Sequence, residues 1–480
     1  MSGTKIVATI GPKTCDPKSL RALARAGMGM ARLNGSHNTL EWHANAIQAI
    51  RQTLPGMPIL LDIPRRKIRT GKLAVEPKFA KGDRIVLTTD SRHDGSKKVP
   101  VDSRTLHKDL KKGVTILADD GTLRFTVVDL QGRDIICRAE TPGTLRSAKG
   151  INVPGIRLRG KLVTARDRDM IDFAKRNGID FIGISFVESA RHVSAVRRLT
   201  GGDWPRILSK VENQGGLDNV EEIVAASDAI MIDRGDLSAE TNIESLAVFQ
   251  KHIISAARRH AKPVVVATEM LHSMIENSFP TKAEVSDITN AVLDGSAATM
   301  LSGETAIGAH PIEAVRVMRK VSDVAAAHLQ DMLDNHDDGA RSELSEVMSE
   351  VIALVCRRLP ITKIVAVTKT GYAARTVAAG RPRQPILAVS DDFMAARSFN
   401  LYPGTEGIHV DVAFQRTSTD HIPRCIAALW RRGKLVDSDF ILITAVGYPG
   451  SGQRMNLMQT HRVGDLARTL GWKRETRKRR

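Results

Sequence analysis

The feature that most constrains this fold is a recurring unit, a short apolar run that ends in polar residues and is followed by a helix-like stretch. The clearest example lies between Ile207 and Ser238, where ILSKVEN leads through a helical segment to AIMIDRGDLS. Short runs rich in Ile, Val and Met that close on charged residues are typical of buried parallel strands. We therefore expect the chemistry of this protein at the carboxyl ends of its strands.

Three charged residues converge in this segment. Lys210 and Glu212 are two apart on one predicted strand, so their side chains share a face, and Asp236 follows at the end of the next strand. Two carboxylates on strand ends can hold a hard divalent ion such as Mg²⁺, and the lysine can face negative charge that develops in a reaction. The alternative is a structural ion pair of Lys210 with either acid.

The same unit recurs along the chain and predicts an α/β fold. Three strand-like runs precede residue 72 and five follow Gly155, and eight parallel strands with outer helices predict a TIM (β/α)8 barrel, whose site lies at the strands' carboxyl ends. The polar residues at those ends are Arg32, Asn34, Asp62, Lys210, Glu212, Asp236, Thr268 and Ser302.

Changes in this alternation of strand-like and helix-like runs indicate the domain boundaries. We expect a discontinuous barrel over 1–71 and 155–335, an inserted small antiparallel β domain over 72–154, a carboxyl-terminal three-layer α/β domain over 345–472 and a basic tail over 473–480. In the last domain, Thr368, Lys369, Thr370 and Gly371 form either a phosphate-binding loop or a plain turn that caps a helix.

Composition excludes several classes of function. The net charge is +18, but aromatic residues are only 4% and no nucleic-acid-binding signature is present, so we expect no specific nucleic-acid partner. No apolar run is long enough to span a bilayer and the amino terminus lacks a signal-peptide pattern, so we expect a cytoplasmic protein with no membrane association. The four cysteines lack metal-binding spacing and receive no role.

A set of motifs then resembles one enzyme family. KIVATIGP, GMGMARLNGSH, KIRTG, ILSKVEN, VVVATEMLHSMI and MLSGETA occur in the order and spacing of pyruvate kinase, and the resemblance runs from Lys5 to about Met458. It implies phosphoryl transfer from phosphoenolpyruvate to ADP, giving pyruvate and ATP in glycolysis. It also implies a TIM barrel with an inserted small β-barrel lid domain and a carboxyl-terminal α/β domain, a homotetramer, and a phosphorylated effector at Thr368–Gly371.

The resemblance also assigns roles to single residues. Glu212 and Asp236 would bind Mg²⁺, or Mn²⁺ in its place, and Lys210 would stabilise the phosphoryl group and the enolate. The expected substrate-binding residues are Arg32, Lys210, Arg234, Gly235, Asp236 and Thr268, and the expected residues for enolate protonation are Thr268, Ser302 and Glu304. The expected nucleotide-binding residues are Arg69, Asp120, Lys149 and His37, although Arg69 could instead be a surface charge.

Several positions depart from the family pattern. Lys67 stands where many members have the glutamate that accompanies a bound K⁺, so its ammonium would replace the ion in a pocket formed by Asn34, Ser36, Asp62 and Ile63. We therefore predict that K⁺ is not required. Near the substrate, Asp233, Ser238 and Glu269 replace the usual alanine, glycine and glutamine, and added negative charge should reduce affinity for an anionic substrate.

Two other functions fit parts of the pattern. One is a catalytically weakened relative that senses metabolites, which would be marked by loss of Lys210, Glu212, Asp236 or Thr268, and none of these is lost. The other is a Mg²⁺-dependent barrel lyase or aldolase acting on oxo acids. The lid residues Asp120 and Lys149 disfavour it, because an aldolase does not need ADP.

Overall fold

The computed structural model describes residues 3–64, 68–119, 121–155, 162–334, 344–415, 418–446 and 455–473. Its centre is a closed barrel of eight parallel strands, in which each strand pairs with the next along the chain and the last pairs with the first. The strands are Lys5–Thr9, Met30–Asn34, Ile59–Ile63, Phe181–Ile184, Arg206–Val211, Ala229–Asp233, Val264–Ala267 and Ala298–Leu301. The predicted TIM barrel is confirmed.

Amphipathic helices surround the barrel. The first begins after Asp16, whose carboxylate accepts hydrogen bonds from the backbone N–H groups of Lys18 and Ser19, and ends at Gly27, whose φ of 122° disfavours other residues. The helices of this domain are Pro17–Ala26, Leu40–Thr53, Ala165–Arg176, Ala190–Thr200, Gln214–Asp218, Val220–Ala226, Arg234–Glu240, Leu246–Arg259, Lys282–Leu293, Gly303–Ala306 and Pro311–Asp334, with short 3₁₀ turns at Ile243–Ser245 and His272–Ile275.

The barrel interior is packed with side chains. Val7, Met30, Leu60, Phe181 and Leu208 are almost completely buried there and contact one another with residues from the remaining strands. The apolar interior cannot stabilise unpaired charges, so the polar side chains gather where the strands end.

The inserted domain contains a seven-stranded sheet in the order Ile68–Arg69, Gly150–Asn152, Thr115–Ala118, Leu123–Gln131, Asp134–Ala139, Arg84–Thr88 and Val99–Pro100, with a separate pair Lys78–Phe79 and Gly143–Thr144 and a helix Leu106–Asp109. Ile68–Arg69 lies inside the barrel segment expected over 1–71 and pairs with Gly150–Asn152 of this sheet. The domain boundaries stay predictions. Asn152 contacts the barrel by donating to Glu240 Oε1 over 2.7 Å.

The carboxyl-terminal domain is built on a five-stranded sheet with the order Thr405–His409, Ile386–Ser390, Lys363–Val367, Phe440–Ala445 and Leu457–Arg462, of which the last strand is antiparallel. Its helices are Leu344–Arg358, Tyr372–Ala379, Phe393–Ser398, His421–Arg431 and Val463–Thr469, with a 3₁₀ turn at Phe399–Leu401. Most of the basic tail lies outside the described residues. Among the described helices, none combines the length and apolarity that crossing a bilayer requires.

One buried carboxylate joins this domain to the barrel. Asp180 accepts hydrogen bonds from Arg51 of the barrel and Arg397 of the carboxyl-terminal domain, over 2.7 and 2.9 Å, and from the backbone N–H of Ile59 over 2.8 Å. One oxygen of Asp180 contacts Arg51 and the other contacts Arg397, so this carboxylate forms ion pairs with both domains. Asp180 is completely buried, so water does not screen these ion pairs at the carboxylate.

Candidate active site

Lys210 and Glu212 meet at the carboxyl end of strand Arg206–Val211. Their side chains point the same way, as expected for residues two apart on a strand, and Lys210 Nζ lies 2.6 Å from Glu212 Oε1. Both side chains are buried, and the second oxygen of Glu212 accepts a hydrogen bond from the backbone N–H of Phe186 over 2.5 Å. The pair is therefore held rigidly away from bulk water.

Two further carboxylates contact the same ammonium. Lys210 Nζ lies 3.1 Å from Asp233 Oδ2 and 3.4 Å from Asp62 Oδ2, with Ser185 Oγ at 3.5 Å. Burial opposes the charge on Lys210, but the carboxylates of Asp62, Glu212 and Asp233 outweigh it and hold the pKa of Lys210 well above its usual value. This lysine stays protonated at neutral pH.

The acids form a candidate metal centre. Glu212, Asp233 and Asp236 each offer a carboxylate oxygen, and these oxygens lie within 4.8 Å of one another. Burial raises the pKa of Glu212 to about 8, with Asp236 and Asp233 adding to the effect and Lys210 opposing it. Closely spaced oxygen donors with excess negative charge fit a hard divalent cation such as Mg²⁺, so the residues present suit the metal that the sequence predicted.

Arg32 lies beside this cluster, at the end of the second barrel strand. Its guanidinium donates to Asp62 Oδ2 over 2.6 Å and to Thr9 Oγ1 over 3.0 Å, and its side chain is buried. The Nε atom of Arg32 and the Oδ1 atom of Asp62 are buried without a hydrogen-bond partner among the described residues. A charged group with spare donor capacity at this place can accept an anionic ligand.

Thr268 connects the acids of the candidate metal centre to the next strand. Its hydroxyl oxygen accepts a hydrogen bond from the Gly235 N–H over 2.9 Å and lies 3.3 Å from Asp233 Oδ1. Thr268 has a φ of 67°, which is unfavourable for a β-branched residue and is common at functional sites. The Arg234 guanidinium has other partners than these acids. It donates to Asp287 over 2.7 Å and to the Thr268 carbonyl over 2.9 Å.

Ser302 and Glu304 follow the last barrel strand. Glu304 accepts hydrogen bonds from the backbone N–H groups of Ser302, over 2.7 Å, and Leu271, over 3.2 Å, so this buried carboxylate fixes the loop. The Ser302 hydroxyl oxygen is buried without a hydrogen-bond partner among the described residues. Ser302 is therefore the group of this pair that is available to a ligand.

The lid brings two of the expected nucleotide residues together. Arg69 lies opposite Gly150 in the sheet and donates to the Ala148 carbonyl over 2.8 Å, while the adjacent Lys149 pairs with Asp119 over 2.7 Å. Asp120 lies outside the described residues. The expected fourth residue, His37, is exposed in the loop after strand Met30–Asn34, far from these two in sequence, and its role stays a prediction.

The expected remnant of a K⁺ pocket is partly described. Asn34 Oδ1 accepts a hydrogen bond from the backbone N–H of Ser36 over 3.1 Å, and the Ile63 carbonyl accepts one from Ser185 over 3.0 Å. Asp62, the fourth member, contacts Arg32 and Lys210. Lys67 lies outside the described residues.

The loop Thr368–Gly371 begins helix Tyr372–Ala379. The Thr368 hydroxyl accepts a hydrogen bond from the Gly371 N–H over 3.1 Å, and Gly371 has a φ of 91°, which is the geometry of a plain turn. Lys369 and Thr370 are exposed, and the Thr370 carbonyl accepts a hydrogen bond from Arg206 over 2.6 Å. Phosphate binding by this loop stays a prediction.

Sequence reasoning gave no role to two residues of the site. Asp233 was noted only as a departure from a family pattern, yet it bridges Lys210 and Thr268. Ser185 was missed, although it directly follows strand Phe181–Ile184 and so shares the strand-end position of the other site residues. Of the other departures, Ser238 donates to the Gly235 carbonyl over 3.0 Å and Glu269 is exposed with a φ of 56°.

Comparisons with known proteins agree with this geometry. The family model for the barrel domain of pyruvate kinase matches residues 1–315, and the model for its alpha/beta domain matches residues 346–461. The pyruvate kinase of Geobacillus stearothermophilus is 36% identical, with 96% of this chain and 81% of the relative covered, and that of Clostridium perfringens is 34% identical, with 94% and 97% covered. The crystal structure of a pyruvate kinase from Cryptosporidium parvum matches with a TM-score of 0.86 and 31% identity over 96% of each chain. The chain therefore belongs to the pyruvate kinase family of phosphotransferase enzymes.

Proposed function

We propose that this chain transfers the phosphoryl group of phosphoenolpyruvate to ADP in a Mg²⁺-dependent, K⁺-independent reaction, giving pyruvate and ATP as a step of glycolysis. The observation that carries the proposal is the contact of Lys210 with Glu212, beside Asp233 and Asp236, at the carboxyl end of the barrel. Phosphoryl transfer depends on positioning and on neutralising charge, and this cluster supplies both.

Lys210 and Arg32 would carry most of the phosphate recognition. Both are buried cations at one end of the barrel, and both contact Asp62, which keeps them close together. The fixed ammonium of Lys210 would stabilise negative charge on the phosphoryl oxygens in transit and on the enolate that remains. Arg69 and Lys149 on the lid would bind the nucleotide phosphates, and Asp120 and His37 would contribute other contacts to the nucleotide.

Glu212 and Asp236 would hold the Mg²⁺ ion, with Asp233 close enough to add a third oxygen. When bound, the ion supplies positive charge that neutralises the oxygens of the transferred group. The protein side chains contribute by staying rigid, because the Phe186 N–H and Lys210 already fix both oxygens of Glu212.

The remaining residues would bind the substrate carboxylate and direct a proton to the enolate. The Gly235 N–H donates a hydrogen bond to the Thr268 hydroxyl over 2.9 Å, and an incoming substrate carboxylate would share or replace it. Arg234 would support this arrangement by holding the Thr268 carbonyl. The buried Ser302 hydroxyl, which has no partner among the described residues, could hold a water molecule for proton transfer while Glu304 fixes its backbone.

A coupled assay tests the proposal. With phosphoenolpyruvate, ADP and Mg²⁺, we expect pyruvate and ATP to form in equal amounts, and we expect Lys210→Met to reduce kcat by about 10³-fold, as for the loss of one transition-state charge contact. The matched control is Lys251→Met, since Lys251 is exposed and pairs only with Asp294 among the described residues. Full turnover in Lys210→Met would contradict the assigned role.

The independence from K⁺ has its own support and its own test. Asp62 already contacts two buried cations and the Ile63 carbonyl accepts a hydrogen bond from Ser185, so two groups of the K⁺ pocket are in use. We expect equal rates in sodium and potassium chloride for the wild type. Lys67→Glu should create a requirement for K⁺. If potassium rescues a wild-type enzyme that is inactive in sodium, this part of the proposal is wrong.

Three features lie beyond the active site, and the first two follow from family membership alone. A homotetramer and a phosphorylated effector at Thr368–Gly371 are part of the proposal, as is a cytoplasmic location. Mass measurement in solution tests the first. Activation or inhibition by sugar phosphates that is lost in Lys369→Gln tests the second.

A further inference from the structure

Asp233 is a buried acid between Lys210 and Thr268, and it is the last residue of barrel strand Ala229–Asp233. One of its carboxylate oxygens lies 3.1 Å from Lys210 Nζ, and the other lies 3.3 Å from the Thr268 hydroxyl. An acid that is buried this deeply needs a positive partner, and Lys210 provides one. The family pattern has alanine at this position, so the role of Asp233 is a property of this chain.

The Lys210 ammonium and the candidate metal centre share two acids. Three carboxylates contact Lys210 Nζ, namely Glu212 at 2.6 Å, Asp233 at 3.1 Å and Asp62 at 3.4 Å. Glu212 and Asp233 also belong to the group whose oxygens lie within 4.8 Å of one another, with Asp236 as its third member. A divalent ion in that group therefore competes with the ammonium for the same carboxylates.

Of the two shared acids, Asp233 is held by the weaker contacts. Glu212 has contacts of 2.6 Å to Lys210 and 2.5 Å to the Phe186 N–H, whereas both contacts of Asp233 exceed 3.0 Å. The Thr268 hydroxyl also donates to the Ala267 carbonyl over 2.6 Å, and a hydroxyl has a single proton to donate. Asp233 is therefore the acid that can change its partner most easily.

A third carboxylate has its largest effect before the substrate binds. Mg²⁺ and Mn²⁺ take about six oxygen ligands in octahedral geometry, and affinity for a hard divalent ion rises with the number of charged ligands. With Glu212 and Asp236 alone, most of these positions would be filled by water or substrate. With Asp233 added, the protein itself supplies about half of them.

We propose that Asp233 is a third ligand of the divalent ion and that it binds the ion before phosphoenolpyruvate, exchanging its contact with Lys210 for one with the ion. The inference rests on the proposed magnesium centre of Glu212 and Asp236, to which it adds a residue and an order of binding. In the protein without metal, Asp233 helps to neutralise the Lys210 ammonium. After the exchange Lys210 has one anionic contact fewer, so its charge is more available to the phosphoryl group.

Electron paramagnetic resonance of bound Mn²⁺ in ¹⁷O-enriched water tests this role, because each bound water molecule broadens the spectral lines. The experiment uses the full chain with neither substrate present. We expect about three bound water molecules in the wild type and about four in Asp233→Ala, since water fills the position that the carboxylate leaves. Asp233→Ala should also bind Mn²⁺ about tenfold more weakly.

Two controls separate this inference from the proposed function. Glu212→Gln removes a ligand of the proposed magnesium centre and should lose most of the Mn²⁺ binding. If Glu212→Gln binds Mn²⁺ as the wild type does, the proposed centre is wrong and the inference fails with it. Asp62→Asn removes a carboxylate charge beside Lys210 without removing a ligand, so it should keep the wild-type number of bound water molecules.

The inference alone is overturned if Glu212→Gln loses binding while the wild type and Asp233→Ala have the same number of bound water molecules. It is also overturned if Asp62→Asn gains a water molecule as Asp233→Ala does, because charge alone would then set the hydration of the ion. Since Asp233 is buried, circular dichroism verifies that Asp233→Ala is folded. A wild-type count of about four would refute the role of Asp233 without any variant.

Discussion

Replacing Lys210 with methionine should have opposite effects on catalysis and on metal binding. In the active-site cluster, the cations Arg32 and Lys210 face four carboxylates, so when all four are ionised, Glu212 included, the excess of negative charge equals the charge of one divalent ion. Lys210→Met removes one of the two cations. The neutral methionine fills much of the same space, and the site becomes more negative.

The size of the effect follows from Coulomb's law. An ammonium and a divalent ion about 5 Å apart repel by roughly 7 kcal/mol at an effective dielectric constant of about 20. Water entry and relaxation of the acids should cancel most of this, leaving about 1–3 kcal/mol, or a roughly 5- to 150-fold lower Kd. Loss of a buried ion-pair partner also destabilises the free protein by about 3–5 kcal/mol, which bound metal should partly restore.

Electron paramagnetic resonance of free Mn²⁺, with neither substrate present, measures this affinity. We expect Lys210→Met to bind Mn²⁺ more tightly than the wild type and to be almost inactive. Lys251→Met, which alters an exposed ion pair with Asp294, should match the wild type in both properties. Equal or weaker Mn²⁺ binding by a folded Lys210→Met would show that the ammonium does not compete with the metal, and our account of the cluster would be wrong.

Three other outcomes can be measured directly. Asp233→Asn removes a negative charge 3.1 Å from Lys210, so KM for phosphoenolpyruvate should fall by about tenfold at saturating Mg²⁺, and a higher KM would count against repulsion. Asp180→Asn weakens the buried ion pairs between the two domains and should lower the free energy of unfolding by about 3 kcal/mol. Chemical denaturation measures this value, and an unchanged free energy of unfolding would contradict a role of Asp180 in stability. Burial, aided by a neighbouring arginine, lowers the pKa of Lys5 to about 8, below the unfolded value of about 10.4. The unfolded chain therefore binds more protons between these pH values, so thermal stability should rise from pH 8 to 10, and this rise should be smaller in Lys5→Met.

The fold was largely predictable because each barrel strand is a local pattern. Apolar runs and helix caps depend on neighbours in sequence, and the run MARLN forms the second strand, Met30–Asn34, along its full length. In the apolar run FIGISF, at 181–186, the strand ends at Ile184, because Phe186 turns to a φ of 52° and donates its N–H to Glu212. That contact comes from another strand, which a local pattern does not contain.

The site was predictable from residue spacing where one strand supplies both partners, and from a shared strand-end position for Asp236, which lies near Glu212. The contact of Lys210 with Glu212 follows from their spacing of two residues. The contact of Lys210 with Asp233 depends on the register between strands, which sets Lys210 opposite Met231 and leaves Asp233 at the adjoining strand end. Strand register is a property of the closed barrel and not of a local sequence pattern. The position of Asp233 in the candidate metal centre was therefore evident only from the structure.

The hydrogen bond between Asn152 and Glu240 has a mechanical consequence. Glu240 is the last residue of the seven-residue helix in which Asp236 lies, and Asn152 belongs to the lid strand next to Ile68–Arg69. If the inserted domain moves as a rigid unit, either this hydrogen bond breaks or helix Arg234–Glu240 moves with the domain. If a nucleotide binds at the lid as proposed, the resulting movement would be transmitted to Asp236, a carboxylate of the candidate metal centre.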